Sequence, residues 1–201
     1  MSGTGSESAR QEIRGAALEL FSTVGFNGTG IRRIAEEAGV SLATLYHYMK
    51  TKDDLLVEIL TENILTLLRD AEIALQGKVS AVDRVAALVE VHVRIHTSQR
   101  LQCIVSDIEL RALTDESRES IVTFRDDYEA LWAKTIAAGR KAGQFTVVDV
   151  AVATKALLEM CTGVAHWYRP DGRLELADLT AIYTELCLNA LGAAKPRKRS
   201  Q

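Results

Sequence analysis

Polar side chains able to contact nucleic acid are concentrated in one segment of the 201-residue chain, residues 29–55. Hydroxyl, phenol, imidazole and guanidinium groups hydrogen-bond to phosphate oxygens and to base edges, and this segment carries all four. We expect Thr44, Tyr46 and His47 to reach bases in a major groove. The other predicted contacts, mostly to phosphates, are Thr29, Arg32, Ser41, Tyr48 and Lys52.

Capping signals in this segment predict the helices that position these groups. Thr29 is suited to cap a helix over about 30–38, whose first N–H groups have no partner within the helix. Gly39 then ends that helix, because glycine adopts the left-handed conformation easily. Ser41 is suited to cap the next helix. Two short helices joined by a glycine turn are the layout of a helix-turn-helix.

A third helix is predicted to begin directly afterwards. Thr51 and Asp54 have the spacing of a capping box, and Lys52 lies in the first helical turn. A cation at that end opposes the helix dipole unless an anion neutralises it. For this reason we predict that Lys52 binds a phosphate of the nucleic acid.

The region around this segment resembles the TetR family of transcriptional regulators, over roughly residues 12–60. The resemblance rests on AALELFSTVGF at 16–26, IRRIAEEAGVS at 31–41 and LYHYMKTKDDL at 45–55, together with the spacing between them. It implies a homodimer built from the last two helices and a small-molecule pocket inside the C-terminal helices. Two-fold symmetry would then require an approximately palindromic operator.

The sequence departs from the family pattern at two positions. Met49 stands where the family usually has phenylalanine, and Gly30 replaces the usual small hydroxyl or other residue after the cap. Neither change removes a predicted phosphate contact. Two other interpretations stay open at this point: a three-helix packing unit without a nucleic-acid role, and a helical adaptor that binds other proteins.

The charge distribution shows that DNA binding cannot rely on a generally basic surface. The formal net charge is −3, and residues 1–60 contain six Lys and Arg against eight Asp and Glu. Local geometry and duplication in a dimer must therefore supply the affinity. The tail 194–201 carries a KPRKR run and is predicted to be disordered. It would either attract phosphates or only solubilise the chain.

Apolar residues recur at helical spacing along the remaining chain, which predicts an all-α protein of about nine helices. We expect a disordered arm over 1–9, a helix-turn-helix DNA-binding domain over 10–55, a helical ligand-binding and dimerisation domain over 56–193, and the basic tail. No run of about eighteen uncharged apolar residues occurs, so we expect no membrane span and a cytoplasmic location. The three cysteines are expected to be buried reduced thiols, with a redox sensor as the alternative.

The last two predicted helices, about 149–168 and 175–192, are apolar around much of their circumference. A four-helix interface between two copies of the chain would bury this surface. The residues predicted to form the interface are Leu157, Cys161, Val164, Tyr168, Leu179, Ile182, Tyr183 and Leu186.

A further set of side chains is suited to line an effector cavity or to form ordinary core. The set comprises His92, His96, Cys103, Phe124, Tyr128, Trp132, Met160 and Trp167. His92 and His96 are four residues apart on one helical face, a spacing that can also hold a metal ion. A metal-responsive regulator is therefore an alternative, although we expect neither a resident metal nor a cofactor.

The stretch EMCTGVAHWYRPDGRLE at 159–175 resembles the corresponding part of TetR regulators of fatty-acid or sterol catabolism. Several of those regulators respond to acyl-CoA thioesters, so the resemblance implies a small apolar or acyl-CoA effector. The phosphates of such an effector would meet cations, for which Arg94, Arg100, Arg169 and Arg173 are the candidates.

Sequence patterns typical of enzymes are absent from the chain. It has no GxSxG elbow, no phosphate-binding glycine loop, no HExxH and no Cys/His pair at nucleophile spacing. We therefore expect a DNA-binding repressor without catalytic residues. Its expected partners are a double-stranded operator, a second copy of the chain and a small-molecule effector.

Overall fold

The computed structural model describes residues 3–193, with side chains from residue 7 onward. These residues form ten α-helices and one 3₁₀ turn with no strand among them, which confirms the predicted all-α class. In chain order they are α1 Gly3–Thr23, α2 Ile31–Glu37, α3 Leu42–Tyr48, α4 Lys52–Leu75, α5 Ala81–Ser98, α6 Arg100–Ile108, the 3₁₀ turn Leu110–Ala112, α7 Asp115–Lys141, α8 Val150–Thr162, α9 Val164–Trp167 and α10 Leu176–Ala190. The helix predicted over 149–168 is interrupted at Gly163 and becomes α8 and α9.

The helices belong to two compact units. Of the described residues, the first unit contains 3–64 and the segment Leu101–Val122. The second contains Leu65–Arg100 and residues 123–193. The DNA-binding domain predicted over 10–55 lies within the first unit. This unit also includes all of α6 except Arg100, together with the 3₁₀ turn and the start of α7.

The core of the first unit is built mainly from apolar residues of α1 to α4, to which α6 and α7 add a few. Phe21, Ile34, Leu45, Leu56 and Ile59 are all fully buried. Burying a side chain of this size contributes about 1.5–3 kcal/mol, so these residues fix the short helices α2 and α3 on the longer ones. Met49 is buried in the same cluster and retains an apolar contact where the family usually has phenylalanine.

The core of the second unit is centred on α5, which packs against α8, α9 and α10. Its fully buried residues include Val85, Leu88 and Ile95 on α5 and Trp132 and Ile136 on α7. Because α5 is covered by neighbours on several sides, polar residues on this helix must find partners within the protein.

Most of the predicted helix ends are confirmed. Gly39 has φ +66°, the left-handed conformation that glycine adopts without strain. The Ser41 hydroxyl accepts from the N–H of Thr44 at 3.0 Å and caps α3. At the start of α4, the Thr51 hydroxyl accepts from the N–H of Asp54 at 3.0 Å, and the Asp54 carboxylate accepts from the N–H of Thr51 at 3.1 Å. This reciprocal pair is the predicted capping box.

The prediction that Thr29 caps α2 is wrong. Gly30 occupies the N-cap position, with no side-chain cap bond. Thr29 is 2% exposed. Its hydroxyl donates to the carbonyl of Gly25 at 2.8 Å, and its N–H donates to the carbonyl of Phe26 at 3.2 Å. Both groups close the turn that precedes α2, and this turn directs the side chain into the core.

Helix α1 begins at Gly3, so residues 3–9, which the sequence assigned to a disordered arm, are part of this helix. Ser8 donates to Glu12 at 3.0 Å, and Arg10 forms an ion pair with Glu58 at 2.7 Å, so side chains support this first part of the helix. The basic tail lies outside the described residues. None of the helices between residues 3 and 193 is long and apolar enough to cross a membrane.

Candidate functional site

Helix α3 presents the side chains that are predicted to read bases. Tyr46 is 53% exposed and His47 is also exposed, whereas Leu45 between Thr44 and Tyr46 is fully buried. Successive helical residues are rotated by about 100°, so one buried leucine fixes the direction in which its neighbours point. The result is a seven-residue helix that is anchored by a buried leucine and carries polar groups on its outer face.

The hydroxyl groups at the start of α3 contact each other. Ser41 Oγ lies 2.8 Å from Thr44 Oγ1 and also accepts from the Thr44 N–H. Ser41 therefore serves as the cap of α3, and its predicted contact with DNA would have to share that hydroxyl. Thr44 is half-buried beside it.

Two further predicted contacts lie at the edges of this surface, which we call the reading surface (Arg32, Thr44, Tyr46, His47 and Tyr48). Arg32 is exposed on α2. Tyr48 is half-buried and packs against the core cluster, and its ring meets His47 edge to face with 5.1 Å between centroids. Hydroxyl, phenol, imidazole and guanidinium groups are thus brought to adjoining helices, as contact with phosphates and bases requires.

Lys52 is placed differently from the prediction. Its Nζ donates to the carbonyls of Phe26 at 2.7 Å and Thr29 at 2.8 Å, and it lies 4.1 Å from the centroid of the Phe26 ring. The ammonium group therefore joins α4 to the turn before α2. Two of the three N–H donors of the ammonium are thus used inside the protein and the Thr29 side chain is buried, so a phosphate contact at either residue stays a prediction.

Glu109 is a residue that sequence reasoning missed. It follows α6, is 7% exposed, and accepts from the N–H of Phe26 at 3.0 Å through Oε1. The two residues are 83 positions apart in the sequence. No local pattern indicates a pair at this separation, so only the packing of α6 in the first unit reveals it.

In the second unit, four residues of the predicted effector set lie together. His92, His96, Tyr128 and Trp132 form, with Thr162, a group that we call the interior polar cluster. His92 Nδ1 lies 3.1 Å from Tyr128 Oη, and Nε2 lies 3.1 Å from Thr162 Oγ1. The rings of His92 and His96 are stacked with centroids 3.9 Å apart. Burial, with a smaller effect of His96, lowers the pKa of His92 well below its usual range, so this imidazole is neutral.

Trp132 closes one side of the interior polar cluster. Its ring meets the His92 ring edge to face at 5.9 Å between centroids. The side chain is fully buried, and its indole N–H has no hydrogen-bond partner among the described residues. A buried donor without an acceptor is energetically costly, and this N–H remains available to hydrogen-bond an acceptor.

The other predicted effector residues lie elsewhere. Cys103 belongs to the first unit, where Asn63 Nδ2 donates to its sulfur at 3.3 Å and burial raises the pKa of the thiol to about 12. Phe124 lines a separate groove of about 440 Å³ with residues of α4 and α7. Met160 is half-buried on α8. Trp167 is 52% exposed, and its ring lies 6.3 Å from that of Tyr183.

A cationic cleft of about 550 Å³ lies in the second unit beside Trp167. Its lining residues are Arg100, His166, Trp167, Tyr168, Arg169, Pro170 and Asp171. The guanidinium of Arg100 is held in place because its Nε donates to the carbonyl of Ala165 at 2.7 Å. Arginine and an exposed indole ring together suit an anionic group attached to a flat ring.

The structure separates the four arginines proposed as phosphate partners. Arg100 and Arg169 line the cationic cleft. Arg94 donates to Asp70 at 3.0 Å, and this hydrogen bond is the main reason why the pKa of Asp70 is lowered. Arg173 is exposed in the loop before α10. The cleft thus contains two of the four candidates.

A wider groove of about 1140 Å³ lies between α5 and α10. Its lining residues include Ala86, Ala181 and Leu188, and Arg94 at its edge is already paired with Asp70. The groove offers apolar surface. It lacks the chemistry of the cationic cleft, so its larger volume does not make it the better site for a phosphate-bearing ligand.

Six of the eight residues predicted for the dimer interface are buried within the protomer. These are Leu157, Cys161, Val164, Tyr168, Leu179 and Tyr183. Ile182 and Leu186 are 43% and 47% exposed. The helical pattern identified apolar residues correctly, but it did not separate those that pack inside one chain from those that face outward.

The cysteine and histidine side chains give no sign of a metal site. The thiols of Cys161 and Cys187 lie 3.9 Å apart in the core. Both ring nitrogens of His92 are directed at hydroxyl groups, as described above. Between residues 3 and 193 no group of three or more His, Cys, Asp or Glu residues is arranged to hold a metal ion.

Two family models match the chain. The model described as bacterial regulatory proteins, tetR family, matches residues 13–59, and the model described as tetracyclin repressor-like, C-terminal domain, matches residues 78–191. The first match contains the whole reading surface. The second contains the interior polar cluster and the cationic cleft.

Known proteins resemble the chain over almost its full length. It is 26% identical over 192 residues to the HTH-type transcriptional repressor KstR2 of Rhodococcus jostii strain RHA1, covering 94% of each chain. It is 24% identical over 182 residues to the fatty acid metabolism regulator protein of Bacillus subtilis strain 168, covering 90% of this chain and 94% of that protein. The structure of AibR in complex with isovaleryl coenzyme A and operator DNA has the same fold, with a TM-score of 0.76 at 23% identity, covering 89% of this chain and 97% of AibR.

Proposed function

Because this chain belongs to the TetR family of bacterial regulatory proteins, we propose that it is a homodimeric repressor that binds a palindromic operator and releases it when an effector binds. The matched families are transcriptional regulators, and the chain is a regulator rather than an enzyme. The reading surface carries the proposal, since Tyr46 and His47 are exposed on a helix that Leu45 anchors in the core. We place its action in the cytoplasm, where operator DNA is accessible.

Two copies of the reading surface would contact successive major-groove faces about 34 Å apart. Duplication matters here because the first sixty residues are not basic overall, and one copy has few cations to offer. Selection of genomic fragments by the full-length protein tests this step. We expect an approximate palindrome, bound in a gel shift by the wild-type protein. Recovery of sequences without two-fold symmetry would contradict the dimeric mode, and recovery of none would favour a protein-binding adaptor.

The dimer itself is proposed from the exposed apolar residues of α8 and α10. Ile182 and Leu186 are one helical turn apart on α10, and Val152 on α8 is 66% exposed. We expect the double variant Ile182→Glu, Leu186→Glu to sediment as a monomer while keeping its helical content. Ile73→Glu is the matched control, because Ile73 is 58% exposed on α4. Equal dimerisation of both variants would remove this interface.

An acyl-CoA thioester is the effector class that we propose. The interior polar cluster offers the unpartnered N–H of Trp132 for a carbonyl oxygen, and the cationic cleft offers Arg100 and Arg169 for phosphates. AibR, which shares the fold, was solved with isovaleryl coenzyme A. A metal effector is not favoured, because both ring nitrogens of His92 already face hydroxyl groups.

Isothermal titration tests the effector class. The panel contains isovaleryl-CoA, longer acyl-CoAs, free coenzyme A and the corresponding free acids. We expect acyl-CoAs to bind more tightly than the matching free acids, and Arg100→Met to weaken acyl-CoA but not free-acid binding. Arg140→Met, which removes an exposed arginine of α7, is the control. Indifference of the protein to every thioester would remove this effector class and leave the operator proposal intact.

A further inference from the structure

The turn between α1 and α2 is held from two sides by charged side chains. We call residues 25–29 the entry turn. Glu109 accepts from the N–H of Phe26 at 3.0 Å. From α4, Lys52 donates to the carbonyls of Phe26 at 2.7 Å and Thr29 at 2.8 Å. One acid and one base therefore bind the same short piece of backbone, at its donor and at its acceptors.

The entry turn needs these partners because its backbone leaves the helical path. Gly25 has φ +88°, a left-handed conformation in which the chain turns away from the axis of α1. The next N–H, that of Phe26, lies in a buried part of the chain and must be paired outside the helix. Glu109 packs closely over this point, since a Cβ atom at Gly25 would lie 3.5 Å from its Oε1.

Glu109 is itself held by the contacts of α6 within the first unit. Gln102 Nε2 donates to the carbonyl of Ile59 at 3.2 Å, and Cys103 accepts from Asn63 on α4 at 3.3 Å. These two bonds fix α6 against α4. The carboxylate that follows α6 is thereby placed at the entry turn by tertiary packing and not by the loop alone.

We propose that Glu109 is a positioning residue for operator binding: it holds the entry turn and so fixes the direction from which the chain enters α2 and α3. The inference rests on the proposed function in one respect, that the reading surface binds DNA. It adds that a residue outside the three-helix motif, more than fifty positions beyond α3, is needed to hold the turn that positions this motif.

The test compares two substitutions of similar shape in the full-length protein. Glu109→Gln keeps a carbonyl oxygen for the Phe26 N–H, whereas Glu109→Met removes the acceptor. The duplex recovered by genomic selection serves as the DNA probe. We expect Glu109→Met to bind it about tenfold more weakly than the wild type, and Glu109→Gln to remain within about twofold.

Loss of a negative charge alone would favour DNA binding, so a charge control is needed. Glu116→Gln removes an exposed acid from α7 in the same unit and should bind as well as the wild type or slightly better. Glu109→Ala is a second acceptor-free variant if methionine is not accommodated. Thermal unfolding and circular dichroism verify that each variant is folded at the binding temperature.

The rate of amide hydrogen exchange at Phe26 measures, in the absence of DNA, how firmly Glu109 holds the entry turn. We expect exchange at least about tenfold faster in Glu109→Met and close to the wild-type rate in Glu109→Gln, with amides of α5 unchanged in both. Unaltered exchange at Phe26 in the acceptor-free variants, or equal operator affinity of the Met and Gln variants, overturns the proposal. If selection recovers no duplex, the proposed function fails on that ground, and the exchange rates still decide whether Glu109 holds the turn.

Discussion

The reading surface and the interior polar cluster use polar groups in opposite ways. On α3 the polar groups of Tyr46 and His47 face outward, and the residue that anchors them, Leu45, carries no polar group. In the second unit His92 is buried, and its partners Tyr128 and Thr162 come from two other helices. In the first arrangement, different residues carry binding and stability. In the second, the same polar residues would serve both.

The difference follows from the cost of burying polar atoms. An exposed hydroxyl or imidazole exchanges one water for one phosphate or base, so replacing it leaves folding almost unchanged. A buried polar group must keep its partner, and removing one member of a pair leaves the other unsatisfied at a cost of about 1–3 kcal/mol. Substitutions of the exposed side chains of the reading surface, such as Tyr46 and His47, should therefore alter affinity alone, and substitutions in the interior polar cluster should alter stability as well.

The largest effect is expected from the anchor of the reading surface. Leu45→Ala creates a cavity in the core of the first unit and should destabilise that unit by about 3 kcal/mol, with loss of operator binding. Hydrogen exchange of α2 and α3 amides, read separately from α5, measures this. Leu42→Ala on the same helix is the control, because Leu42 is 37% exposed. Equal effects of the two substitutions would contradict the assignment of Leu45 as the anchor.

A smaller effect distinguishes the two cations assigned to phosphates by sequence. Lys52→Ala should weaken binding to every duplex by about 2 kcal/mol, because two carbonyls of the entry turn lose a charged donor. Its salt dependence should match that of the wild type. Arg32→Ala should instead lower the slope of affinity against salt by about one. A flatter slope for Lys52→Ala would restore its predicted phosphate contact.

The interior polar cluster should make the second unit sensitive to acid. In the folded protein His92 is neutral, because burial and, to a smaller extent, His96 lower its pKa. In the unfolded chain it titrates at about pH 6.5. Below that pH the unfolded state binds a proton that the folded state does not. The stabilisation that depends on neutral His92 is therefore fully present above about pH 6.5. As the pH falls, the free energy of unfolding decreases, by about 1.4 kcal/mol at about pH 5.5.

His92→Gln removes this titration, so the free energy of unfolding should change less between pH 7.5 and 5.5 than in the wild type. Denaturant unfolding followed by tryptophan fluorescence measures it. His47→Gln on the reading surface is the matched control, since that ring is exposed. Parallel pH curves for wild type and His92→Gln would show that His92 does not carry the acid sensitivity.

The smallest effect concerns base preference. Thr44→Ala should leave the free energy of unfolding nearly unchanged and shift the preferred bases in the recovered operator by about 1 kcal/mol per base pair. Thr44→Ser keeps the hydroxyl and should keep the preference. Competition binding with operator variants measures both. An unchanged preference in Thr44→Ala would remove Thr44 from the base-reading set.

The local features of the head were predictable because each depends on neighbours in sequence. A cap needs a hydroxyl or carboxylate three residues from an N–H, and the box of Thr51 and Asp54 shows this spacing directly. Gly39 needs only its own backbone freedom. For the same reason the all-α class, the helix-turn-helix and the family resemblance were all readable from residue types and periods.

Tertiary packing decided the features that join distant residues. Periodicity shows that Leu157 and Ile182 are apolar, but only the packed structure shows that the first is buried within the protomer and the second is exposed. The placement of Cys103 in the first unit, whereas the other residues of the predicted effector set belong to the second, also depends on packing.

The sequence by itself determined that this chain is helical, that its head has the form of a helix-turn-helix, and which polar residues α3 carries. The structure alone decided that Thr29 and Lys52 are used inside the protein and that Glu109 completes the entry turn. Hydrogen bonds within a helix end are set by short spacing, whereas a bond across 83 positions depends on how whole helices pack. That packing is the sum of many weak apolar contacts, which no single motif encodes.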